Sequence, residues 1–498
     1  MRVLARVMLA AVLLAGCGSR VPREQLQRTL GWPGEPTTVG TAVPSPGIDA
    51  GRTTTTTTIG TSTRAGSAPA SGSGTGPVGS GLAVGGSGRT APAPPGPAHR
   101  TRTAEGPATA ASGAPPKVAG SVPAMAVENG PRPATPVVIG SVGTLSGPVG
   151  AAMQGGPLAV RVWAKALNDR GGLGGRPVQV VVADDGGDPF RYQAIIRELV
   201  EHKGVVAFVS NMAAFTLASG SAYLEQKRVP VIGGDLTSSM WNESPMFFPQ
   251  AGGEHALVWG MVANGAAAGR RRFGALSCRE SEGCTHADHY WFERGWVAEA
   301  GMEPAYRGRI SIAQPDYTAE CLTAQRAGVE VLAVVADGAT ARRVAVSCAR
   351  QGYRPTFSIA GPAVDERLAG AGGANEALEG TLGTVATFPY VLHDTPATEE
   401  FRRAMTRFGT GEPLSAAAAQ GWVSAKLFER VAAGAEPLTS ERILEGLWSL
   451  AGETLGGLTA PRTFVREKKN PDVRCFFVMK LTGGRWTAPR GSELVCRD

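Results

Sequence analysis

The chain has 498 residues, with 49 Lys and Arg side chains against 42 Asp and Glu. The basic excess lies before Pro133, because residues 134–498 contain 37 basic and 37 acidic side chains. A nucleic-acid-binding protein needs a basic surface on its folded part, so this balance argues against nucleic acid as a partner.

The N-terminal segment is typical of a secreted lipoprotein. Arg2 and Arg6 precede a short apolar run, and Leu14-Ala15-Gly16-Cys17 looks like a bacterial lipobox. The run is too short to span a bilayer, so residues 1–17 are predicted to be a cleaved signal with lipid on Cys17. The alternative is an ordinary signal peptide with a chance cysteine. The lipobox predicts a cell-membrane anchor on the extracytoplasmic face.

Residues 18–134 are predicted to be a disordered spacer. They are rich in Gly, Ser, Thr, Pro and Ala and include the run Thr53–Thr58. Such a segment cannot bury enough apolar surface to offset the entropy lost on ordering. A plain flexible linker is the favoured interpretation, and O-glycosylation in an exported protein is the alternative.

Strands and helices alternate after the spacer. A buried strand at 136–141 precedes a helix that starts at Pro157 and stops at Gly171. The pattern continues with strands at 178–182, 205–209 and 229–232, a helix at 191–203 and a helix ending near Lys227. This alternation predicts a doubly wound parallel sheet.

The alternation then restarts. Further strands are predicted at 273–277, 329–335 and 356–360, with a helix at 339–351. Two open sheets in series predict an α/β protein of two lobes with a cleft between them. Ligands of open sheets bind outside the carboxyl ends of the strands, so the loops after these strands should line the cleft.

Several stretches together resemble a known family. They are VIG at 138–140, TLSGP at 144–148, NDRGGLGG at 168–175, ADD at 183–185 with Pro189, AFV at 207–209, VPVI at 229–232 and CARQGY at 348–353. In this order they are similar to type I periplasmic binding proteins of the leucine/isoleucine/valine-binding class, over nearly all of residues 135–498. The resemblance implies the solute-binding component of an ABC importer, whose lobes close on a ligand.

The same resemblance implies three crossovers between the lobes. We place them near Glu254, Val385 and Leu455. The first lobe would then comprise residues 135–254 and 386–455, and the second lobe residues 255–385 and 456–498.

The first lobe is expected to supply half of the ligand site. The Ser146 hydroxyl, with the backbone around it, follows the first strand and is suited to a ligand carboxylate. By resemblance, the loops after the third and fourth strands complete this half. The expected contacts are Leu145, Ser146, Gly147, Asn211, Met212, Ala213, Ala214, Gly234 and Asp235. Asp235 is the predicted partner of a ligand ammonium, against the alternative that these are ordinary polar loop residues.

The second lobe is expected to contribute His286, Asp337 and Gly361. The family's amino-acid binders carry an acid in the loop after the strand at 356–360, where this chain has Gly361-Pro362. Either Asp337 replaces that acid or the ligand has no ammonium group.

Six cysteines remain once Cys17 is assigned to lipid. Of fifteen possible pairings, position favours Cys278–Cys284, Cys321–Cys348 and Cys475–Cys496. A rival interpretation takes Cys278, Cys284, His286 and His289 as metal ligands. Oxidised cysteines cannot act as thiolates, and an exported chain favours oxidation, so no metal and no other cofactor are expected.

The sequence predicts a binding protein and not an enzyme. Residues 135–498 lack the Gly-x-Ser-x-Gly, His-Glu-x-x-His and Gly-x-x-x-x-Gly-Lys motifs. The expected role is capture of a small polar solute, an amino acid or related carboxylate, by a monomer that delivers it to an ABC permease. A sensing module of the same fold and, behind it, an exported enzyme are the alternatives. The sequence leaves the solute open.

Overall fold

The computed structural model describes residues 135–370 and 375–497. The predicted lipidation site Cys17 and the predicted spacer at 18–134 lie outside these residues.

The first lobe begins with alternating strands and helices. Its strands are β1 (Val137–Gly143), β2 (Val178–Asp184), β3 (Phe208–Asn211), β4 (Val231–Gly234) and β5 (Phe247–Phe248). Its first helices are α1 (Gly150–Met153), α2 (Gly155–Asp169), α3 (Pro189–Glu201), α4 (Ser221–Lys227) and α5 (Met240–Glu243), with a 3₁₀ turn at Leu217–Gly220. The strands form a parallel sheet in the order β2-β1-β3-β4-β5.

Local sequence explains these elements. Val137, Ile139 and Val142 of β1 are fully buried, as expected for a parallel strand covered by helices on both faces. Helix α3 starts where the Asp188 side chain accepts hydrogen bonds from two backbone amides, with Pro189 in the first turn.

The second lobe repeats the alternation. Its helices are α6 (Glu254–Ala267), α7 (Glu282–Asp288), α8 (Trp296–Glu299), α9 (Thr318–Arg326), α10 (Gly338–Arg350), α11 (Glu366–Ala369) and α12 (Asn375–Leu378). A π-helical turn at His289–Glu293 and a 3₁₀ turn at Gly361–Ala363 lie among them. The strands are β6 (Arg272–Cys278), β7 (Glu303–Ile310), β8 (Val331–Val335), β9 (Thr356–Ala360) and β10 (Leu382–Val385).

The chain then returns to the first lobe. Helices α13 (Pro396–Phe408), α14 (Ala416–Ala432) and α15 (Ser440–Trp448) belong to this return. Helix α14 lies close against α2, and a Cβ on Gly421 would collide with the carbonyl oxygen of Gly156. The absence of a side chain at Gly421 therefore permits this close helix packing.

The C-terminal strands complete the second sheet. They are β11 (Cys475–Thr482), β12 (Arg485–Thr487) and β13 (Val495–Cys496). The sheet runs in the order β12-β11-β10-β9-β8-β6-β7, and β13 pairs with β11. Strands β6 to β10 are parallel, whereas β11 is antiparallel to β10. The predicted α/β fold with two open-sheet lobes is confirmed.

Three chain segments link the lobes. The first lies around Gly252–Glu254, between β5 and α6, and the second follows β10 after Val385. The third lies at residues 471–474, immediately before β11.

The third link comes later in the chain than predicted. The Asn470 side chain donates hydrogen bonds to the carbonyl oxygens of Trp241 and Phe247 in the first lobe. Residues up to 470 therefore still belong to the first lobe, and the predicted crossover near Leu455 is corrected to residues 471–474. The segment between Leu455 and β11 contains no helix or strand and continues over the first lobe.

Three disulfides lie in the second lobe. They join Cys278 to Cys284, Cys321 to Cys348, and Cys475 to Cys496, as position in the sequence favoured. Among the described residues, none of the helices combines the length and apolar character that crossing a membrane requires.

Candidate ligand-binding cleft

A cavity lies between the carboxyl ends of the two sheets. Its volume is about 120 Å³, counted as the space open to the centre of a water molecule. The first lobe lines it with Val149, Ala152, Met153, Ala214, Phe215 and Thr237. The second lobe contributes a larger wall: Glu254, Leu257, Val258, Met261, Cys278, Ser281, Gly283, Cys284, Ile312, Val334, Val335, Ala336, Asp337, Ala360, Gly361, Pro362 and Ala363. This position is the one that open α/β sheets use for ligands.

Most of the wall is apolar, and Glu254 is the most buried charged group on it. Its side chain is only 9% exposed, and His286 Nδ1 lies 3.0 Å from Oε1 and 3.2 Å from Oε2. Burial raises the pKa of Glu254, although its hydrogen bond with His286 opposes the shift. Glu254 in turn raises the pKa of His286, with Glu282 and Glu243 adding to the effect.

Asp337 is the second acid on the wall. It begins helix α10: its Oδ1 accepts from the Thr340 amide at 3.0 Å and its Oδ2 from the Thr340 hydroxyl at 2.5 Å. Among the described residues that line the cavity, Glu254 and Asp337 are the only charged side chains.

The structure brings three of the predicted site residues to the cavity wall. Ala214 lies on the first-lobe side, and Asp337 and Gly361 lie on the second-lobe side. His286 is not a lining residue, but its Nδ1 lies within hydrogen-bond distance of Glu254 on the wall. Met212 is fully buried in the small apolar cluster that backs the wall, and Leu145 packs against that cluster.

The loop after β1 directs its polar groups away from the cavity. The Ser146 hydroxyl hydrogen-bonds to Asp184, and the Leu145 amide donates to Asp184 Oδ1 at 2.8 Å. Ser146 and Gly147 are exposed outside the cavity wall. The geometry does not place this loop against a ligand in the cavity.

The polar residues predicted as ligand contacts after β3 and β4 form their hydrogen bonds within the first lobe. Asn211 is buried, with Oδ1 accepting from the Val142 amide at 3.1 Å and Nδ2 donating to the Tyr192 hydroxyl at 3.0 Å. Ala213 is fully buried in the core, and the Gly234 amide donates to the Gln250 side chain.

Asp235 lies beneath the wall. Its Oδ1 accepts from the Thr237 amide at 2.8 Å and the Thr237 hydroxyl at 2.7 Å, while its buried Oδ2 has no hydrogen-bond partner. Burial raises the pKa of Asp235. Since Thr237 lines the cavity, the contact of Asp235 with the site runs through Thr237.

The sequence interpretation missed much of the wall. Glu254 was noticed only as a link between lobes, and Met153, Phe215 and Thr237 were not singled out. Phe215 and Thr237 lie about five residues after predicted strands, a position that apolar side chains share with polar ones, and Met153 has no such signal.

The alternative metal set is separated in the structure. Cys278 and Cys284 form a disulfide, His286 bonds to Glu254, and His289 Nδ1 lies 2.6 Å from Glu293 Oε2. Within residues 135–370 and 375–497, no three His, Cys, Asp or Glu side chains are grouped so that they would hold a metal ion.

Comparison with known proteins places the fold. A family model described as periplasmic binding protein matches residues 136–485. Among curated proteins, none is significantly similar to the chain. A fatty acid ABC transporter substrate-binding protein from Thermomonospora curvata superposes with a TM-score of 0.64 and 19% identity, covering 73% of this chain and 93% of its own.

Two further solved structures are similar. The branched-chain amino acid transporter substrate-binding protein LivJ from Streptococcus pneumoniae, in complex with isoleucine, has a TM-score of 0.61 and 15% identity over 73% of this chain and 100% of its own. A solute-binding protein from R. palustris, in complex with benzoate, has a TM-score of 0.59 and 14% identity over 73% and 98%. At these identities the likeness concerns the fold alone.

Proposed function

The chain belongs to the periplasmic binding protein family, and from that premise we propose that it is the solute-binding component of an ABC importer. It captures a small molecule in the cavity between its lobes. The observation that carries this proposal is the position of that cavity, at the carboxyl ends of both sheets and walled by both lobes. Its role is binding without catalysis.

Contacts between the lobes support a closing mechanism. Ser238 Oγ of the first lobe donates to Glu282 Oε1 of the second at 2.8 Å, and Arg367 Nη1 donates to the Ala151 carbonyl at 3.1 Å. Both bonds join a residue of the first lobe to a residue of the second. A ligand that binds the closed state more tightly than the open state shifts the population toward closure.

The location and partners follow from the same proposal. Lipid on Cys17 anchors the protein to the extracytoplasmic face of the cell membrane, and the spacer at 18–134 gives the monomeric binding domain reach. The closed form presents a surface to an ABC permease, which receives the solute.

The sequence favoured an amino acid or related carboxylate as solute. Isoleucine and benzoate are the ligands in two of the similar structures, and a third is described as a fatty acid transporter protein. These molecules share a carboxylate and an apolar body, so they form the starting panel of solutes.

A thermal-shift screen of the purified full-length chain tests the proposal. The panel contains amino acids, organic acids, fatty acids, amines, alcohols and sugars. A ligand that binds only the folded chain stabilises it by about 2.7 kcal/mol at a hundred times Kd, so the melting temperature rises.

A cavity-blocking variant makes the screen specific. Ala214→Trp fills the cavity from the first lobe, whereas Phe190→Trp changes a side chain that is 82% exposed. We expect a ligand to stabilise the wild type and Phe190→Trp, and to lose its effect on Ala214→Trp. A panel without any hit, or hits that Ala214→Trp leaves unchanged, would contradict the proposal.

A further inference from the structure

The cavity offers a ligand an apolar surface over most of its extent. Buried side chains such as Met153, Leu257 and Ile312 face it, together with the disulfide between Cys278 and Cys284. A strongly hydrated solute would give up its water there and find few polar partners. The body of the ligand is therefore apolar.

The charged groups on the wall have one sign. Glu254 and Asp337 are acidic, and no Lys, Arg or His side chain among the described residues lines this cavity. Basic side chains reach the acids only from outside the lining: His286 bonds to Glu254, and Arg343 bonds to the Thr340 hydroxyl at 2.8 Å, which in turn bonds to Asp337. A ligand carboxylate in the cavity would thus approach two acidic side chains, and no basic side chain of the lining would be there to pair with it.

The two acids keep capacity to accept hydrogen bonds. Each carboxylate oxygen accepts two bonds, and those of Asp337 each take one from Thr340. Both oxygens of Glu254 share a single donor atom, His286 Nδ1. A ligand group that donates a hydrogen bond would find an acceptor at either acid.

Resting on the proposed function, we propose that this cavity selects an apolar molecule whose polar group donates hydrogen bonds, an amine or an alcohol, over the corresponding carboxylate. The apolar body fills the space between the lobes and the donor group meets Glu254 or Asp337. An ammonium also gains from the charge of these acids, since opposite charges attract strongly where water is excluded. The selection runs against the carboxylates that the sequence favoured.

Matched ligands separate the head group from the body. Isothermal titration calorimetry of the full-length chain at pH 7 would compare hexylamine, hexanol and hexanoate, and benzylamine, benzyl alcohol and benzoate. We expect the amine of each series to bind at least about tenfold more tightly than the carboxylate, with the alcohol between them.

Two variants locate the selecting charge. Glu254→Gln keeps the size of the side chain and an acceptor for His286 but removes the charge, and Asp337→Asn keeps a residue that begins helices well. We expect each variant to reduce the ratio of amine affinity to carboxylate affinity severalfold. The control is Glu303→Gln on β7, an acid 58% exposed and bonded to Arg272, which should leave all six affinities unchanged.

The outcomes distinguish this inference from the function it rests on. Tighter binding of the carboxylates, or an amine preference that both variants leave intact, would overturn the ligand class and leave the binding protein standing. The ligand class is also overturned if none of the six ligands binds while a member of the wider thermal-shift panel does. If no ligand binds in either experiment, both proposals fail.

Discussion

The two lobes line one cavity with different chemistry. On the first-lobe wall, Thr237 is the only polar side chain among the described lining residues, and the rest are apolar. The second-lobe wall carries both acids, Ser281 and a disulfide. The first lobe thus contributes mainly an apolar surface, while the second lobe contributes nearly all the polar groups that can distinguish between ligand head groups.

The loops after β1, β2 and β3 form polar networks within the first lobe. Asp185, fully buried, accepts from the Thr144 hydroxyl at 2.8 Å, the Thr216 hydroxyl at 2.7 Å and the Gly187 amide at 2.7 Å. Together with Asn211, this bonding fixes the loops after β1, β2 and β3. Because a satisfied network is rigid, these three loops form a preformed surface, and we expect discrimination between ligands to depend mainly on the second lobe.

The largest predicted effects are those of removing two disulfides of the second lobe, one of which should affect mainly stability and the other mainly ligand affinity. By loop length, losing Cys321–Cys348 should cost about 3.5 kcal/mol of stability and losing Cys278–Cys284 about 2 kcal/mol. Of these two disulfides, only Cys278–Cys284 lines the cavity. We therefore expect Cys278→Ala with Cys284→Ala to weaken a bound ligand at least about tenfold, and Cys321→Ala with Cys348→Ala to leave affinity within about twofold.

Denaturant unfolding and calorimetry on the two double variants would check this prediction. The variant that is less stable should be the one that binds normally. If the less stable variant is also the one that binds ligand more weakly, the Cys278–Cys284 disulfide does not contribute directly to ligand binding.

A smaller loss of stability is expected at Asn211 in the first lobe. Asn211→Ala leaves the Val142 amide without its acceptor and removes the hydrogen bond that Asn211 Nδ2 donates to the buried Tyr192 hydroxyl. An unsatisfied buried donor costs about 1–3 kcal/mol, so the free energy of unfolding should fall by that amount, with ligand affinity unchanged in the folded fraction. Ser146→Ala, at an exposed hydroxyl, is the control and should change neither quantity measurably. Weaker binding by folded Asn211→Ala would restore Asn211 to the ligand site.

The fold was predictable where strands are continuous apolar runs. Strand β9 has the predicted bounds, and α10 differs from its prediction by one residue at each end. Strand β7 escaped prediction because it is an edge strand with the sequence Glu-Pro-Ala-Tyr-Arg-Gly-Arg-Ile and no apolar run. An apolar run marks a strand even at the edge of a sheet, as in β2, whereas the mixed sequence of β7 does not.

The site was predictable only as a set of loops. Which side chain of a loop faces the cavity depends on backbone dihedrals that the sequence does not reveal. Leu236 has a φ of 65°, a left-handed conformation uncommon outside glycine, and it separates buried Asp235 from Thr237 on the cavity wall. The prediction names Asp235 in the loop after β4, whereas Thr237 is the residue of this loop that lines the cavity.

Asp235 offers a test of that turn with a modest effect. Its Oδ2 is buried without a partner and burial raises its pKa, so Asp235→Asn removes an unfavourable charge and keeps an acceptor for Thr237. We expect Asp235→Asn to hold or raise the melting temperature and to leave amine affinity unchanged. Asp235→Ala, which also removes the acceptor, should lower the melting temperature. A large loss of amine affinity in Asp235→Asn would show that this acid meets the ligand after all.

The smallest effect that we expect is a pH dependence of folding stability caused by Glu254 and His286 in the second lobe. The pKa of His286 is raised above 6.5 by Glu254, and burial raises the pKa of Glu254 above 4.5. Both groups bind their proton more tightly in the folded chain, so protonation favours folding. The stability that His286 contributes is complete below pH 6.5 and is lost as pH rises through its raised pKa. The stability that protonated Glu254 contributes is complete below pH 4.5 and is lost at lower pH than that of His286, as pH rises through the raised pKa of Glu254.

Glu254→Gln isolates this pair, because it removes one titrating group and the main cause of the shift in the other. Glu282 and Glu243 also face His286 and remain in the variant, so a reduced shift persists there. Melting temperatures measured from pH 5 to 9 should fall more steeply above pH 6.5 in the wild type than in Glu254→Gln. Parallel curves would mean that the Glu254–His286 contact does not hold a proton at the cavity wall, and the second lobe would then differ from the first only in shape and fixed charge.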